Sequence, residues 1–262
     1  MPSFNSLTRS RGKPSLVWAL CTVARSGSSW LSELASSTNC LGYPEEYLLD
    51  WRRQCEQWGM SSQTSQEDYL ALLMRSRVTP DGVFAIKGSV GELRPFFELF
   101  PHAPCVWLTR ENKLEQAVSW YRAHHGNLWT RRTGVEAKPQ PLEFSADDIL
   151  AFYDEIQRRE ASWHEFFLAR RSPPLLLTYE KVCADPLGAV RSIAVHIGMS
   201  PANIERVESP LQVVRDELTA TWVALVMRTH GWQCRTVDGW GRGQGGPSDC
   251  RACDADAASR NT

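Results

Sequence analysis

The chain is 262 residues long, 42 % hydrophobic and close to neutral, with a formal net charge of -1. Such a length can bury a full core, most simply as one α/β domain, and the balanced charge excludes a global basic field for nucleic acid. No stretch approaches the roughly 20 apolar residues of a membrane span and no apolar signal core opens the chain, so no membrane partner is expected and the expected compartment is the cytoplasm.

The eight cysteines are scattered. Cys21, Cys105 and Cys183 fall within or beside apolar strand-like runs. That pattern suits buried free thiols in a reducing compartment better than a disulfide framework.

In chain order, residues 1–14 are polar and basic without periodicity, and a frayed segment is expected there. Leu16-Val17-Trp18-Ala19-Leu20-Cys21 is an apolar run of buried-strand character. It ends in a small polar turn, Ala24 to Ser29, after which Trp30, Leu31 and Leu34 take up helical spacing. Gly42 and Pro44 then end regular structure, and Glu45-Glu46 follow at once. Residues 51–62 read as irregular. Glu67 to Arg77 reads as a helix with Tyr69, Leu70, Leu73 and Met74 on its apolar side. Pro80-Asp81-Gly82 turns into a second strand, Val83 to Ile86, closed by Lys87-Gly88.

A helix is expected from about Glu92 to Phe100, then a third strand, Cys105 to Thr109, ending at Arg110. Glu111 to His124 reads as a helix with Leu114, Val118 and Tyr121 in a stripe. Residues 126–142 read as a mobile insertion. Ser145-Ala146-Asp147-Asp148 caps a long helix to about Arg170. The fourth strand is expected at Leu175 to Tyr179, a helix from Asp185-Pro186 to about Ile197, and a last helix with Leu218, Trp222, Leu225 and Val226 on one face. Residues 231–262 read as a glycine-rich tail, leaving 15–230 as the folded domain. Alternation of strands and helices calls for a parallel sheet covered on both faces. Such sheets bind ligands at the carboxyl ends of their strands. Arg25 to Ser29, Lys87, Arg110 and Tyr179 stand at those ends.

A strand, a tight glycine turn and a helix aim backbone N–H groups and a positive helix end at an anion. Arg25 adds a guanidinium fork suited to phosphate or sulfate oxygens, and Ser26, Ser28 and Ser29 add hydroxyl donors. By itself the turn also fits an ordinary βα connection with a serine N-cap. A nucleotide-hydrolysing loop would need Gly-Lys-Ser/Thr; its absence removes the main groups of a kinase. At the third strand, Arg110 with Ser119 two to three helical turns on can bracket a second phosphate. Arg110 equally fits a surface arginine paired with Glu111 or Glu115.

Arg25-Ser-Gly-Ser-Ser-Trp30 resembles the 5′-phosphosulfate loop of sulfotransferases that use 3′-phosphoadenosine 5′-phosphosulfate (PAPS). Together with Thr109-Arg110 and Gln116-Ala-Val-Ser119-Trp-Tyr-Arg-Ala123, it is similar to the bacterial trehalose sulfotransferase-like family. Gly42-Tyr43-Pro44-Glu45-Glu46-Tyr47, the strand ending in Lys87, and Thr178-Tyr179-Glu180 through Asp185-Pro186 extend the likeness over about residues 15–200.

The resemblance implies a P-loop-like parallel sheet flanked by helices on both faces. It implies a PAPS-dependent enzyme that sulfates a hydroxyl of a small polar acceptor, a sugar or natural product, and releases adenosine 3′,5′-bisphosphate. Arg25, Ser26, Gly27, Ser28, Ser29 and Trp30 would hold the 5′-phosphosulfate, Arg110 and Ser119 the 3′-phosphate. Glu46 corresponds to the family's general base, and Lys87 either touches the sulfuryl group or caps the strand. Family members often pair as homodimers, but no residue here fixes such a surface. The alternatives are a non-catalytic adenosine-phosphate-binding relative and an atypical kinase.

Two positions depart from the family pattern. Tyr43 stands where the trehalose enzyme has an acid, which speaks against trehalose as acceptor, and Ser89-Val90 replaces a family tryptophan. No metal site is expected. Cys250-x-x-Cys253 with Cys234 and His230 can be drawn as a zinc set, but the segment linking them is glycine-rich.

Overall fold

The computed structural model describes residues 13–126, 129, 141–211 and 217–231. Most of the expected insertion and of the two terminal segments lies outside them. The chain divides into two compact units, one of residues 1–109 and 159–209, the other of residues 110–158 and 210–262.

The first unit is built on four parallel strands in the order β2-β1-β3-β4, comprising β1 (Leu16–Thr22), β2 (Val83–Gly88), β3 (Cys105–Thr109) and β4 (Leu175–Thr178). β1 is central, and its last five residues are buried, as a strand covered on both faces requires. All six residues of β2 are buried too, Lys87 among them.

Helices α1 (Ser28–Ser37), α2 (Trp51–Gln57), α3 (Gln66–Ser76) and α4 (Val90–Leu99) fill the connections on the N-terminal side. α7 (Tyr179–Ala184) and α8 (Pro186–His196) follow β4. Leu31, Leu34 and Ala35 of α1 join Val190, Ile193 and Ala194 of α8 in one buried cluster with Trp18, Leu20, Val106 and Leu108 of the sheet.

Several caps are those the sequence announces. Asp185 Oδ1 accepts from Gly188 N at 2.8 Å to start α8, and Ser89 and Glu92 form a reciprocal capping box on α4. Cys105 opens β3 beside Arg170, whose Nη1 donates to its Sγ at 2.9 Å while Nη2 reaches the Ala103 carbonyl at 3.1 Å. The guanidinium also lies 4.7 Å from the Phe97 ring centre.

The second unit contains α5 (Lys113–Gly126), α9 (Glu217–Thr229) and residues 146–158 of the long helix α6 (Ala146–Arg170). Tyr121 meets the Trp222 ring edge-on at 5.7 Å, and buried Arg122 donates to Thr219 Oγ1 at 2.6 Å. Asn112 Oδ1 caps α5 by accepting from Glu115 N at 3.0 Å.

Four expectations need correction. Residues 51–57 are helical; only Cys55 of α2 is buried, so no apolar stripe marks it in the sequence. β4 stops at Thr178, because the Thr178 hydroxyl accepts from Lys181 N and starts α7 at Tyr179. Cys183 is exposed on that added helix rather than buried in a strand. Leu218 is 41 % exposed, as α9 turns Thr219, Trp222, Val223, Val226 and Met227 inward instead. No helix among the described residues is long and apolar enough to cross a membrane.

Candidate active site

The site begins where β1 ends. Trp163 of α6 donates its indole N–H to the Thr22 carbonyl at 3.0 Å, holding the last strand residue. The chain then reverses through Arg25 at φ 62° and Gly27 at φ 90° before entering α1. Gly27 is the N-cap of that helix, so no side chain caps its first N–H groups. A side chain here would be strained by the left-handed backbone, and its Cβ would also collide with the Tyr179 ring. Tyr179 lies against Trp30 as well, edge-on at 6.2 Å, so the start of α7 forms one wall of the turn.

Ser26 is fully buried, and its Oγ has no hydrogen-bond partner among the described residues. A buried hydroxyl is costly unless something pairs with it. Together with the uncapped N–H groups of α1, it fits a turn that receives the oxygens of a tetrahedral anion. Ser28 is buried, and Arg25, Ser29 and Trp30 are half-buried.

β2 brings the second group of residues. The segment after α1 runs beside it: Gly42, at φ 90°, packs so tightly on Ala85 that a Cβ would approach the Ala85 Cβ to 2.6 Å. Glu45 pairs with Ile86 as a parallel bridge, and its carbonyl accepts from Lys87 N at 3.0 Å. This short extension of the sheet sets Glu46 beside Lys87. Lys87 Nζ lies 3.7 Å from Glu46 Oε1 and 3.4 Å from Ser29 Oγ. The ammonium side chain is 3 % exposed and the carboxylate 45 %. Ser29, Lys87 and Glu46 therefore form one continuous polar line from the turn to the solvent side.

Glu45 has a different environment. Although its side chain reaches solvent, crowding by the surrounding protein raises its carboxyl above the usual range, with Glu33 and Glu46 adding to the shift and Lys87 and Arg77 opposing it.

In the second unit, Arg110 is buried and paired, Nη2 to Glu115 Oε2 at 2.6 Å. The pairing anticipated as the plain surface reading is present, but out of solvent. Ser119 is half-buried on the same helix, α5, that carries Glu115. No group of three or more metal-ligating side chains occurs among the described residues. Cys234, Cys250 and Cys253 lie outside them.

A family model described as Stf0 sulphotransferase matches residues 86–228. The chain belongs to that family. The match runs from Ile86, next to Lys87, through Arg110 and Ser119 to α9. No curated protein matches the chain. Among solved structures, a sulfotransferase from Alicyclobacillus acidocaldarius aligns over 83 % of this chain and 94 % of its own, at 13 % identity and TM-score 0.50. At that identity the likeness shows a shared fold. A mouse sulfotransferase complexed with PAP aligns over 85 % of this chain and 68 % of its own, at 14 % identity and TM-score 0.42. Retinol dehydratase in complex with retinol and PAP aligns over 85 % and 84 %, at 15 % identity and TM-score 0.40. The helix-flanked parallel sheet of this Stf0 sulphotransferase is the fold expected of it.

Two side chains that meet the carbonyls following Glu46, Tyr69 Oη 2.9 Å from the Tyr47 carbonyl and Gln54 Nε2 3.0 Å from the Leu49 carbonyl, were not recognised in the sequence. Tyr69 reads there as one more apolar position of α3, and Gln54 sits in a stretch with no pattern at all. No spacing could have tied either to residues 45–49.

Proposed function

We propose that this Stf0 sulphotransferase transfers a sulfuryl group from PAPS to a hydroxyl of a small polar acceptor, a sugar or natural product, and releases adenosine 3′,5′-bisphosphate. The observation that carries the reading is the line Ser29–Lys87–Glu46, a hydroxyl at the start of α1, a buried ammonium near the end of β2 and an accessible carboxylate beside it. PAPS supplies an activated tetrahedral sulfur whose leaving group is a phosphate oxygen.

In this reading the N–H groups at the start of α1, the hydroxyls of Ser26, Ser28 and Ser29, and the Arg25 guanidinium bind the phosphosulfate and stabilise charge on the departing oxygen. Trp30 packs beside that group. Glu46 accepts the acceptor's hydroxyl proton as the new S–O bond forms. In the same reading Lys87 balances negative charge on the transferring group and holds the Glu46 carboxylate in place. Arg110, oriented by Glu115, and Ser119 take the 3′-phosphate. Positioning and charge supply the catalysis, as in phosphoryl transfer.

The test is calorimetric titration of the full chain with adenosine 3′,5′-bisphosphate. Binding that exceeds ATP binding, and that falls about ten- to hundredfold in Arg110→Ala, supports the assignment. Equal binding of ATP, or no effect of the substitution, overturns it.

A further inference from the structure

Glu46 extends an exposed, flexible side chain, so the aim of its carboxylate depends on how its neighbours are mounted. On one side the mounting is β2, through the Lys87 N–H to the Glu45 carbonyl. On the other, two side chains from later helices converge. The hydroxyl of Tyr69, a fully buried residue of α3, lies 2.9 Å from the Tyr47 carbonyl and 2.7 Å from Gln54 Oε1. The Gln54 amide in turn donates to the Leu49 carbonyl at 3.0 Å and reaches the Tyr47 carbonyl at 3.4 Å. Tyr47 is pinned independently, stacked on Phe84 of β2, with its hydroxyl donating to the Tyr43 carbonyl at 2.7 Å.

We propose that Tyr69, acting with Gln54, is the positioning residue for Glu46, fixing the carbonyls of Tyr47 and Leu49 so that the turn over residues 45–49 holds the carboxylate against Lys87. The proposal rests on the reading of Glu46 as the base. The turn closes through two short-range bonds, Tyr47 N–H to the Glu45 carbonyl at 2.9 Å and Leu49 N–H to the Glu46 carbonyl at 3.2 Å. It belongs to neither a helix nor a strand, so it lacks the ladder that would keep it rigid unaided. Packing alone does not call for a hydroxyl at residue 69. Its ring packs against Trp51 and Trp58, at centroid distances of 5.8 and 5.6 Å, contacts phenylalanine would keep. A buried hydroxyl is tolerated when its proton has an acceptor, and the one Tyr69 proton is shared between the Tyr47 carbonyl of the Glu46 turn and the side-chain oxygen of the amide that braces it. Burial raises the Tyr69 phenol above its usual range, so it stays protonated into alkaline pH. Misplacement of a base by about an ångström is enough to lower the rate substantially.

The experiment compares Tyr69→Phe with wild type in the full chain. Amide hydrogen exchange at Tyr47 and Leu49 should quicken about tenfold, the worth of one neutral hydrogen bond, with β1 and β3 unchanged. PAPS turnover with water as the probe acceptor, followed as release of adenosine 3′,5′-bisphosphate, should fall about tenfold in kcat with KM for PAPS unchanged. On a Glu46→Gln background, Tyr69→Phe should cause no further loss, because a residue acting through Glu46 has nothing left to position.

Unchanged exchange at Tyr47 and Leu49 would overturn the proposal, and so would losses that add on the Glu46→Gln background. If Glu46→Gln alone leaves kcat intact, or PAPS is not turned over, the base reading fails, and exchange still decides whether Tyr69 holds the turn. Gln54→Ala, at a half-buried position, should move exchange in the same direction and serves if Tyr69→Phe lowers stability.

Discussion

The Tyr179 ring occupies the space that a side chain at Gly27 would need. The first residue of α7 thereby dictates what can stand in the turn after β1. Two independent constraints fall on residue 27, the ring and the backbone φ of 90°. Gly27→Ala should therefore weaken adenosine 3′,5′-bisphosphate binding at least tenfold and lower the melting temperature, the left-handed conformation alone costing about 1–2 kcal/mol. Adding Tyr179→Ala should restore only part of the loss, since it removes the collision and leaves the φ. Calorimetry on both variants checks this, and full recovery in the double variant would mean that φ is not limiting.

Lys87 should matter to turnover far more than to folding. Its partner Glu46 is 45 % exposed, so water can take over the carboxylate when the ammonium is removed. Lys87→Met keeps most of the side-chain volume. Its melting temperature should stay close to wild type while kcat falls about a hundredfold, the usual loss when one charge-stabilising donor is deleted. A large fall in melting temperature with kcat preserved would make Lys87 a structural residue.

The Arg110–Glu115 pair should behave in the opposite way. With the arginine side chain 10 % exposed and the glutamate 15 %, its bond is charge-assisted and largely out of water. Glu115→Gln should destabilise the protein by about 1.5–3 kcal/mol, read as a shift in the urea midpoint. It should also weaken adenosine 3′,5′-bisphosphate binding, because the guanidinium loses the group that orients it. Weakened binding without any loss of stability would show that Glu115 orients Arg110 but does not support the fold.

Alkaline pH should unfold the protein through its buried phenols. Burial raises both Tyr47 and Tyr69 above the ordinary tyrosine value of 10.0. For an acid whose folded pKa is raised, stability is intact below the unfolded pKa and is lost as pH rises from there towards the folded value. Each phenol should thus remove up to about 1.4 kcal/mol per pH unit above pH ~10. Urea midpoints between pH 8 and 11 should fall less steeply for Tyr47→Phe than for wild type. Parallel curves would show that Tyr47 ionises freely in the folded protein.

Much of this molecule was legible because its signals are local. The run Leu16 to Cys21 declares a buried strand, and the structure differs only in extending β1 to Thr22. β3 begins and ends at the residues its apolar run marks. Asp185-Pro186 starts α8 as a cap followed by a proline must. Each of these is decided by backbone preference and side-chain period, which neighbouring residues carry in themselves.

Tertiary structure decided the rest. α2 is short, buries only Cys55, and shows no periodicity to read. Tyr179 belongs to a helix because the Thr178 hydroxyl caps it, although the apolar run could equally have continued as strand. Above all, the sequence marks Glu46 and Lys87 as separate residues of the expected chemistry, while only the pairing of Glu45 with Ile86 sets them 3.7 Å apart. Tyr69 becomes visible as a partner of that turn only once α3 has packed beneath it. Contacts between distant segments arise from how helices and strands share one core, and no local pattern of residues encodes that sharing.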